Sequence, residues 1–409
     1  MKVLKFGGTS IGTAKRMRQV ADLIKDQRDI VVVLSAVAKT TDRLLEISKL
    51  LIEQQRAAAT RMVEDLREEY HGFVSSLYTT DRGRTRGNQL VDSHIDHILS
   101  FTLDMFTSHE QRTVLAQGEL LSSSLLQCYL EESGVQSALL PALDFLRLDE
   151  NGEPALDTIK ENLRALIKKN SGKQLFLTQG YICRNAFGEI DNLKRGGSDY
   201  TASLIGAALD CEEIQIWTDI DGMHNNDPRY VKNTKTIRQL SFDEAAELAY
   251  FGAKILHPAS IRPARDGDIT VRLLNTLKPE APGTLITGQH GEGEIKAVAA
   301  KDGIIAIKVK SSRMLLAYGF LRRIFEVFER YRTAIDMITT SEVAVSLTID
   351  DPTHLTAITD ELRAFGAVEV DHEQTIICVV GDFVAESKGV ACKVLTSLQD
   401  IPLRMICYG

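Results

Sequence analysis

The sequence predicts a layered α/β domain followed by a smaller, internally repeated region, and three observations carry that prediction. Apolar runs recur at Ile30-Val31-Val32-Val33-Leu34, Leu175-Phe176-Leu177, Ile214-Gln215-Ile216-Trp217 and Val271-Arg272-Leu273-Leu274. Runs of this kind suit strands buried on both faces. Helical patterns lie between them, which makes the domain layered α/β. Composition then changes at Gly288-Gln289-His290-Gly291-Glu292-Gly293-Glu294, a polar, glycine-rich stretch that reads as a linker. Beyond it the chain repeats loosely: Gly319-Phe320-Leu321 opens a helix that closes before Asp336, and Gly389-Val390-Ala391 opens another that closes before Arg404.

The elements follow in order. Val3-Leu4 is a short strand that delivers Lys5 and runs into Phe6-Gly7-Gly8-Thr9-Ser10, a glycine turn with hydroxyl residues at a helix entrance. Unpartnered backbone N–H groups and the helix dipole make such a turn attractive to phosphate. It is not a P-loop, because its lysine precedes the glycines. Ser35-Ala36 through Thr40-Thr41 follows the strand ending at Leu34, where α/β sites tend to sit. Arg61 to Tyr70 is charged with apolar residues at helical spacing, and Gly118-Glu119 begins a helix after Val114-Leu115-Ala116-Gln117. Lys194-Arg195-Gly196-Gly197-Ser198-Asp199-Tyr200-Thr201 is a second glycine-rich segment, in which an arginine can grip a carboxylate. Trp217-Thr218-Asp219-Ile220-Asp221-Gly222 leads to the turn Asn226-Asp227-Pro228-Arg229. Ser241-Phe242-Asp243-Glu244 is a capping box, and Phe251-Gly252-Ala253-Lys254-Ile255-Leu256-His257-Pro258 closes the series.

Bulk properties narrow the function classes. At 409 residues more than one domain is expected, and a net charge of −8 leaves no basic footprint for nucleic acid. No apolar run is long enough to span a bilayer and no signal-peptide pattern opens the chain, so a cytoplasmic protein with no membrane partner is expected. Cys128, Cys183, Cys211, Cys378, Cys392 and Cys407 are scattered and read as reduced, buried packing residues. No dense set of metal ligands is visible.

Taken in sequence, the segments at Lys5, Arg195, Thr218 to Arg229 and Lys254 make the chain similar to the amino-acid kinase family, and within it to the aspartate kinases, over essentially its whole length. The resemblance implies a three-layer α/β/α kinase domain over residues 1–290 and two ACT-type α+β modules in 297–409. The first module spans about 312–383 and the second 297–311 plus 384–409, left incomplete by the end of the chain at Gly409. It implies ATP-dependent phosphorylation of the β-carboxylate of L-aspartate to 4-phospho-L-aspartate, with Mg²⁺ carried in on the nucleotide. Lys5 and Asp199 would carry the chemistry, while Thr41, Glu119, Arg195 and Ser198 would hold aspartate. Gly7, Gly8, Thr9, Ser10, Thr218, Asp219, His224, Arg229 and Lys254 would meet ATP. Met314, Gly319, Phe320, Leu321, Asp336, Ser341 and Glu342 match the effector pocket of the lysine-sensitive class, which implies lysine as the end-product effector and a homo-oligomer joined through the ACT modules.

Departures from the family pattern occur at Gln117, where many members carry histidine, at His224, more often tyrosine, and at Ala317, a serine in the lysine-sensitive class. Two alternatives stand beside this reading: a kinase of another amino acid such as glutamate, and a non-catalytic amino-acid-sensing subunit.

Overall fold

The computed structural model describes residues 1–193, 196–252, 256–289, 295–314, 318–381 and 389–408. Contacts divide the chain into two compact units, Met1–Glu292 and Gly293–Gly409.

The first unit is built on an eight-stranded sheet. Its strands are β1 (Lys2–Phe6), β2 (Ile30–Leu34), β3 (Ser137–Leu139), β4 (Leu175–Gln179), β7 (Glu213–Thr218), β8 (Gln239–Ser241), β9 (Thr270–Asn275) and β10 (Thr284–Thr287), and β5 (Ile182–Arg184) pairs with β6 (Ile190–Asn192) in a separate hairpin. The order is β3-β4-β2-β1-β7-β9-β10-β8, parallel from β3 to β9, with β10 antiparallel to β9. The apolar runs read from the sequence occupy β2, β4, β7 and β9, and β2 is buried along its full length. β1 lies between β2 and β7, with Lys5 opposite Val33 on one side and Ile216 on the other.

Strand alternation then decides what each side of β1 meets. Leu4 and Phe6 enter a core shared with the helices α1 (Ala14–Ile24), α2 (Thr40–Ile52), α3 (Arg56–Leu77), α4 (Asp81–Ser100) and α5 (Ser108–Glu132). α6 (Ala142–Phe145) and α7 (Leu156–Lys169) lead to α8 (Gly197–Leu209), which packs on β1 and β2 and against α7. α9 (Phe242–Phe251) starts at the expected capping box, with Ser241 and Glu244 bonded reciprocally, and α10 (Arg262–Asp266) follows.

Two local expectations change. α5 does not begin at Gly118; it runs unbroken from Ser108 to Glu132, and Gly118 sits mid-helix. A Cβ on Gly118 would lie 2.9 Å from the Ala36 Cβ, so glycine costs some helix propensity there and permits close packing on the loop after β2. The hydroxyl that opens α1 is Thr13, whose Oγ1 accepts from Arg16 N at 3.2 Å. Ser10 is buried instead, its Oγ donating to Trp217 O at 3.3 Å and lying 2.7 Å from Thr276 Oγ1.

The second unit carries β11 (Ala297–Lys310), β12 (Ile338–Thr340), β13 (Ala344–Ile349) and β14 (Ala367–Val380), all antiparallel in the order β12-β13-β11-β14. α11 (Phe320–Arg330) and α12 (Leu355–Leu362) bury Phe320, Ile324, Phe328, Ile358 and Leu362 against one face of this sheet. Residues 306–310 therefore belong with α11 as the central strand of that module, not with a separate module, because they pair with both β13 and β14. A register shift between Lys301 and Ile304 separates that stretch from Ala297–Lys301, which pairs with Ile376–Val380 alone. The internal repeat is visible in the helix starts: α11 and α13 (Val390–Ser397) each follow a left-handed glycine, Gly319 at φ 74° and Gly389 at φ 92°. Cys128, Cys183 and Cys211 are buried as expected, whereas Cys392 and Cys407 are exposed.

Candidate active site

Lys5 leaves β1 on the face covered by α8. Its Nζ meets Asp199 Oδ1, in the first turn of α8, at 2.6 Å, with both side chains largely shielded. The fold thus closes a contact between residues far apart in the chain at the C-terminal ends of the central strands, where parallel sheets leave room for ligands. Gly7 and Gly8 continue directly from β1. Gly7 N donates to Trp217 O at 3.3 Å, and a Cβ on Gly7 would stand 3.6 Å from Lys5 Nζ. A Cβ on Gly8 would lie 2.8 Å from Ala36 O, too close for any side chain. Among the described residues the N–H groups of Gly8 and Thr9 have no protein partner. The turn therefore presents backbone donors beside an ammonium group, a combination suited to phosphate.

The start of α8 is held close to the sheet by glycine. A Cβ on Gly180, just after β4, would fall 2.4 Å from Ser198 Cβ, so this approach exists only with glycine there. Ser198 is buried, and its Oγ accepts from Ser35 Oγ at 2.9 Å. Gly196, at φ 67°, makes the left-handed turn into the helix. Arg195, between that turn and β6, lies outside the described residues.

Glu119 is the other central group. Mid-helix in α5 and 3% exposed, it accepts from Ala36 N at 3.3 Å through Oε1, while Oε2 has no partner among the described residues. Burial pushes its pKa up to about 8, against the pull of the backbone N–H groups of Ala36 and Glu119 itself. A buried carboxylate with one open oxygen is poised to accept a cationic donor. Thr41 lies in the first turn of α2, on the far side of the same loop.

Tyr181 carries no signal in the sequence beyond the preceding glycine, yet it has a left-handed backbone at φ 67°. Tyr181 N donates to Thr201 Oγ1 at 3.0 Å, and Tyr181 O accepts from Leu193 N at 2.8 Å. Burial and then the charges of Glu119 and Asp191 push its phenol up to about 12.

The remaining nucleotide-side residues are dispersed. Thr218 ends β7 and donates to Asp219 Oδ1 at 3.2 Å. His224 Nδ1 lies 2.9 Å from Thr234 Oγ1. Arg229 is 73% exposed and grips Asp227 at 2.6 Å, within its own turn. Thr9 is exposed, whereas Ser10 is turned inward. Lys254 lies outside the described residues. Among the described residues no three His, Cys, Asp or Glu side chains cluster as a metal cage.

In the second unit Gly319 and Leu321 stand at the start of α11, and Met314 ends a short turn that precedes it. Phe320 is core, packed edge-on to Phe365 at 6.1 Å. Ser341 and Glu342 are exposed between β12 and β13. Asp336, 2% exposed, faces Lys301 Nζ at 3.2 Å, and the same ammonium meets Asp350 at 2.8 Å. The position expected to receive an effector's ammonium is thus already beside one from the chain itself.

Comparison with known proteins agrees with this fold. The family model for the amino acid kinase family matches residues 1–275. Aspartokinase 2, chloroplastic, of Arabidopsis thaliana is 34% identical, over 100% of this chain and 79% of its own length. The chain belongs to the amino acid kinase family, among the aspartokinases. Lysine-sensitive aspartokinase 3 of Escherichia coli K12 is 32% identical, with 100% of this chain and 93% of that aspartokinase covered. The crystal structure of E. coli aspartokinase III with aspartate and ADP has a TM-score of 0.84 at 30% identity, covering 100% of this chain and 94% of that one. Among the described residues no helix is long and apolar enough to cross a membrane.

Proposed function

We propose that this chain transfers the γ-phosphoryl group of ATP to the β-carboxylate of L-aspartate, giving 4-phospho-L-aspartate and ADP. A carboxylate oxygen forms the new bond to phosphorus as the bond to the ADP oxygen breaks, and charge spreads over the transferring group. The Lys5–Asp199 pair beside the Gly7-Gly8 turn is the observation that carries this reading. Lys5 neutralises the transferring phosphoryl group, and Asp199 keeps the ammonium aimed at it. Glu119 takes the α-ammonium of aspartate on its open Oε2, with Thr41, Ser198 and Arg195 on the carboxylates and hydroxyl-lined wall. Thr218, Asp219, His224 and Lys254 hold the nucleotide, and Arg229 trades Asp227 for phosphate. Mg²⁺ arrives on the ATP phosphates, which with water supply most of its ligands. Lysine is the proposed effector, supported by the lysine-sensitive relative, and the ACT-like modules are the proposed contacts of a homo-oligomer.

A hydroxamate assay with ATP, Mg²⁺ and a panel of carboxylic acids tests the reading. Aspartate should give product and glutamate little, with lysine inhibiting more than threonine or methionine. Preferential turnover of glutamate, or no turnover of any acid, would overturn it.

A further inference from the structure

Tyr70 belongs to none of the motifs that point to the chemistry. It lies on α3, 4% exposed, and its hydroxyl is 2.8 Å from Thr40 Oγ1. Burial raises its pKa above the usual phenol value, and the nearby charge of Glu119 adds to that, so at neutral pH the hydroxyl keeps its proton. Thr40 is the first residue of α2, and Lys39 before it is left-handed at φ 65° with no side-chain cap. That conformation is unfavourable for lysine and persists only where its surroundings over-determine it.

The loop from Ser35 to Thr41 is held from three directions. α5 reaches it through Glu119, which accepts from Ala36 N. The glycine turn presses on it, with Gly8 under Ala36 O and a Gly12 Cβ position only 2.9 Å from Ala38 Cβ. α3 reaches it through the Tyr70 hydroxyl, at the strained residue's neighbour.

We propose that Tyr70 is a positioning residue for the acceptor: through Thr40 it fixes the first turn of α2, and so holds Thr41 in register with Glu119. This rests on the reading above, in which Thr41 and Glu119 meet aspartate. Without the hydroxyl the ring still fills its place in the core, but the left-handed turn loses one of its restraints. The acceptor-competent arrangement is then less populated, and apparent affinity falls by that fraction. The ATP side has an anchor of its own: although the glycine turn touches the loop at Gly8, Gly7 N is tied to Trp217 O on β7.

The test uses Tyr70→Phe, Thr40→Val and the double variant of the full chain, with KM for aspartate, KM for ATP, kcat and the thermal midpoint measured for each. Each single variant should raise KM for aspartate about three- to tenfold, as expected for one lost hydrogen bond, with KM for ATP unchanged. The double variant should be no worse than either single one, because both remove the same bond. An unchanged KM for aspartate in Tyr70→Phe overturns the proposal. So does an equal rise in both KM values with a lower midpoint, which is the mark of a purely structural role, and so do additive effects in the double variant. Failure of the wild-type chain to turn over aspartate overturns the proposed function, and this role with it.

Discussion

Two buried carboxylates, Glu119 in the first unit and Asp336 in the second, look alike in sequence as candidates for an incoming ammonium group, and the fold treats them oppositely. Glu119 is left with an open oxygen and a pKa near 8. Asp336 is faced by Lys301, which also bridges to Asp350. Burial opposes the charge on Lys301, but the two aspartates hold its pKa above the usual lysine value. Asp199, with Lys5 as its counter-ion, resembles Asp336 in its pairing and Glu119 in its location. The degree of burial is therefore not what separates the carboxylate proposed to bind a ligand from those already paired within the chain. Whether the chain supplies the cation decides it, since a buried charge left unpaired is costly and a ligand can relieve that cost.

The sharpest way to break this comparison is at the internal cation of the active site. Lys5→Ala should lower kcat by roughly a hundredfold or more while the fold survives, because a preorganised charge partner of the transferring group is lost. A folded variant with wild-type kcat would move Lys5 out of the chemistry.

Glu119→Gln comes next. It should raise KM for aspartate about thirtyfold, the order expected for losing a charge-assisted hydrogen bond. It should also stabilise the unit. A carboxyl whose pKa rises from near 4.5 to about 8 on folding favours the folded state most below 4.5, and that advantage is lost as pH rises to 8. The neutral amide escapes the loss. Urea unfolding at pH 8.5 should therefore find the variant more stable by roughly 1–3 kcal/mol, with the gain vanishing toward pH 4.5. A variant less stable than wild type at pH 8.5 would show that Glu119 is paired in solution.

The same shift sets a pH dependence for the wild-type enzyme. In the proposed function Glu119 pairs with the aspartate ammonium only when ionised, so KM for aspartate should fall by up to about tenfold per pH unit between pH 6 and 8 and level off above. Steady-state kinetics across that range, with ATP saturating, checks the sign; a flat profile would place the ammonium elsewhere.

The smallest effect on catalysis is expected at Lys301. Lys301→Met leaves Asp336 and Asp350 without their shared cation and should destabilise the second unit by about 2 kcal/mol, while kcat and KM for aspartate without effector stay unchanged. Hydrogen exchange localised to β11 and β13 would read the first effect. A loss of basal activity would mean that the pair acts beyond its own module.

Much of this was legible along the chain because it depends on neighbours in sequence. Apolar runs announced β2, β4, β7 and β9, the Ser241–Glu244 capping box announced α9, and two glycines announced the starts of α11 and α13. The glycine turn after β1 marked Lys5 as a cation suited to phosphate, whereas Asp199 and Glu119 were marked only by the resemblance to the aspartate kinases. What packing decided is of another kind. The sequence could not say that Gly118 lies inside a continuous helix pressed on Ala36, that Ser10 turns inward to Trp217, or that residues 306–310 are the centre of the second unit's sheet. Nor could it say that Asp336 meets Lys301 while Glu119 keeps an open oxygen. Hydrogen-bonded turns and strand patterns are set by forces that act over a few residues, whereas the counter-ion of a buried charge is supplied by whatever the tertiary fold brings beside it, from any distance along the chain.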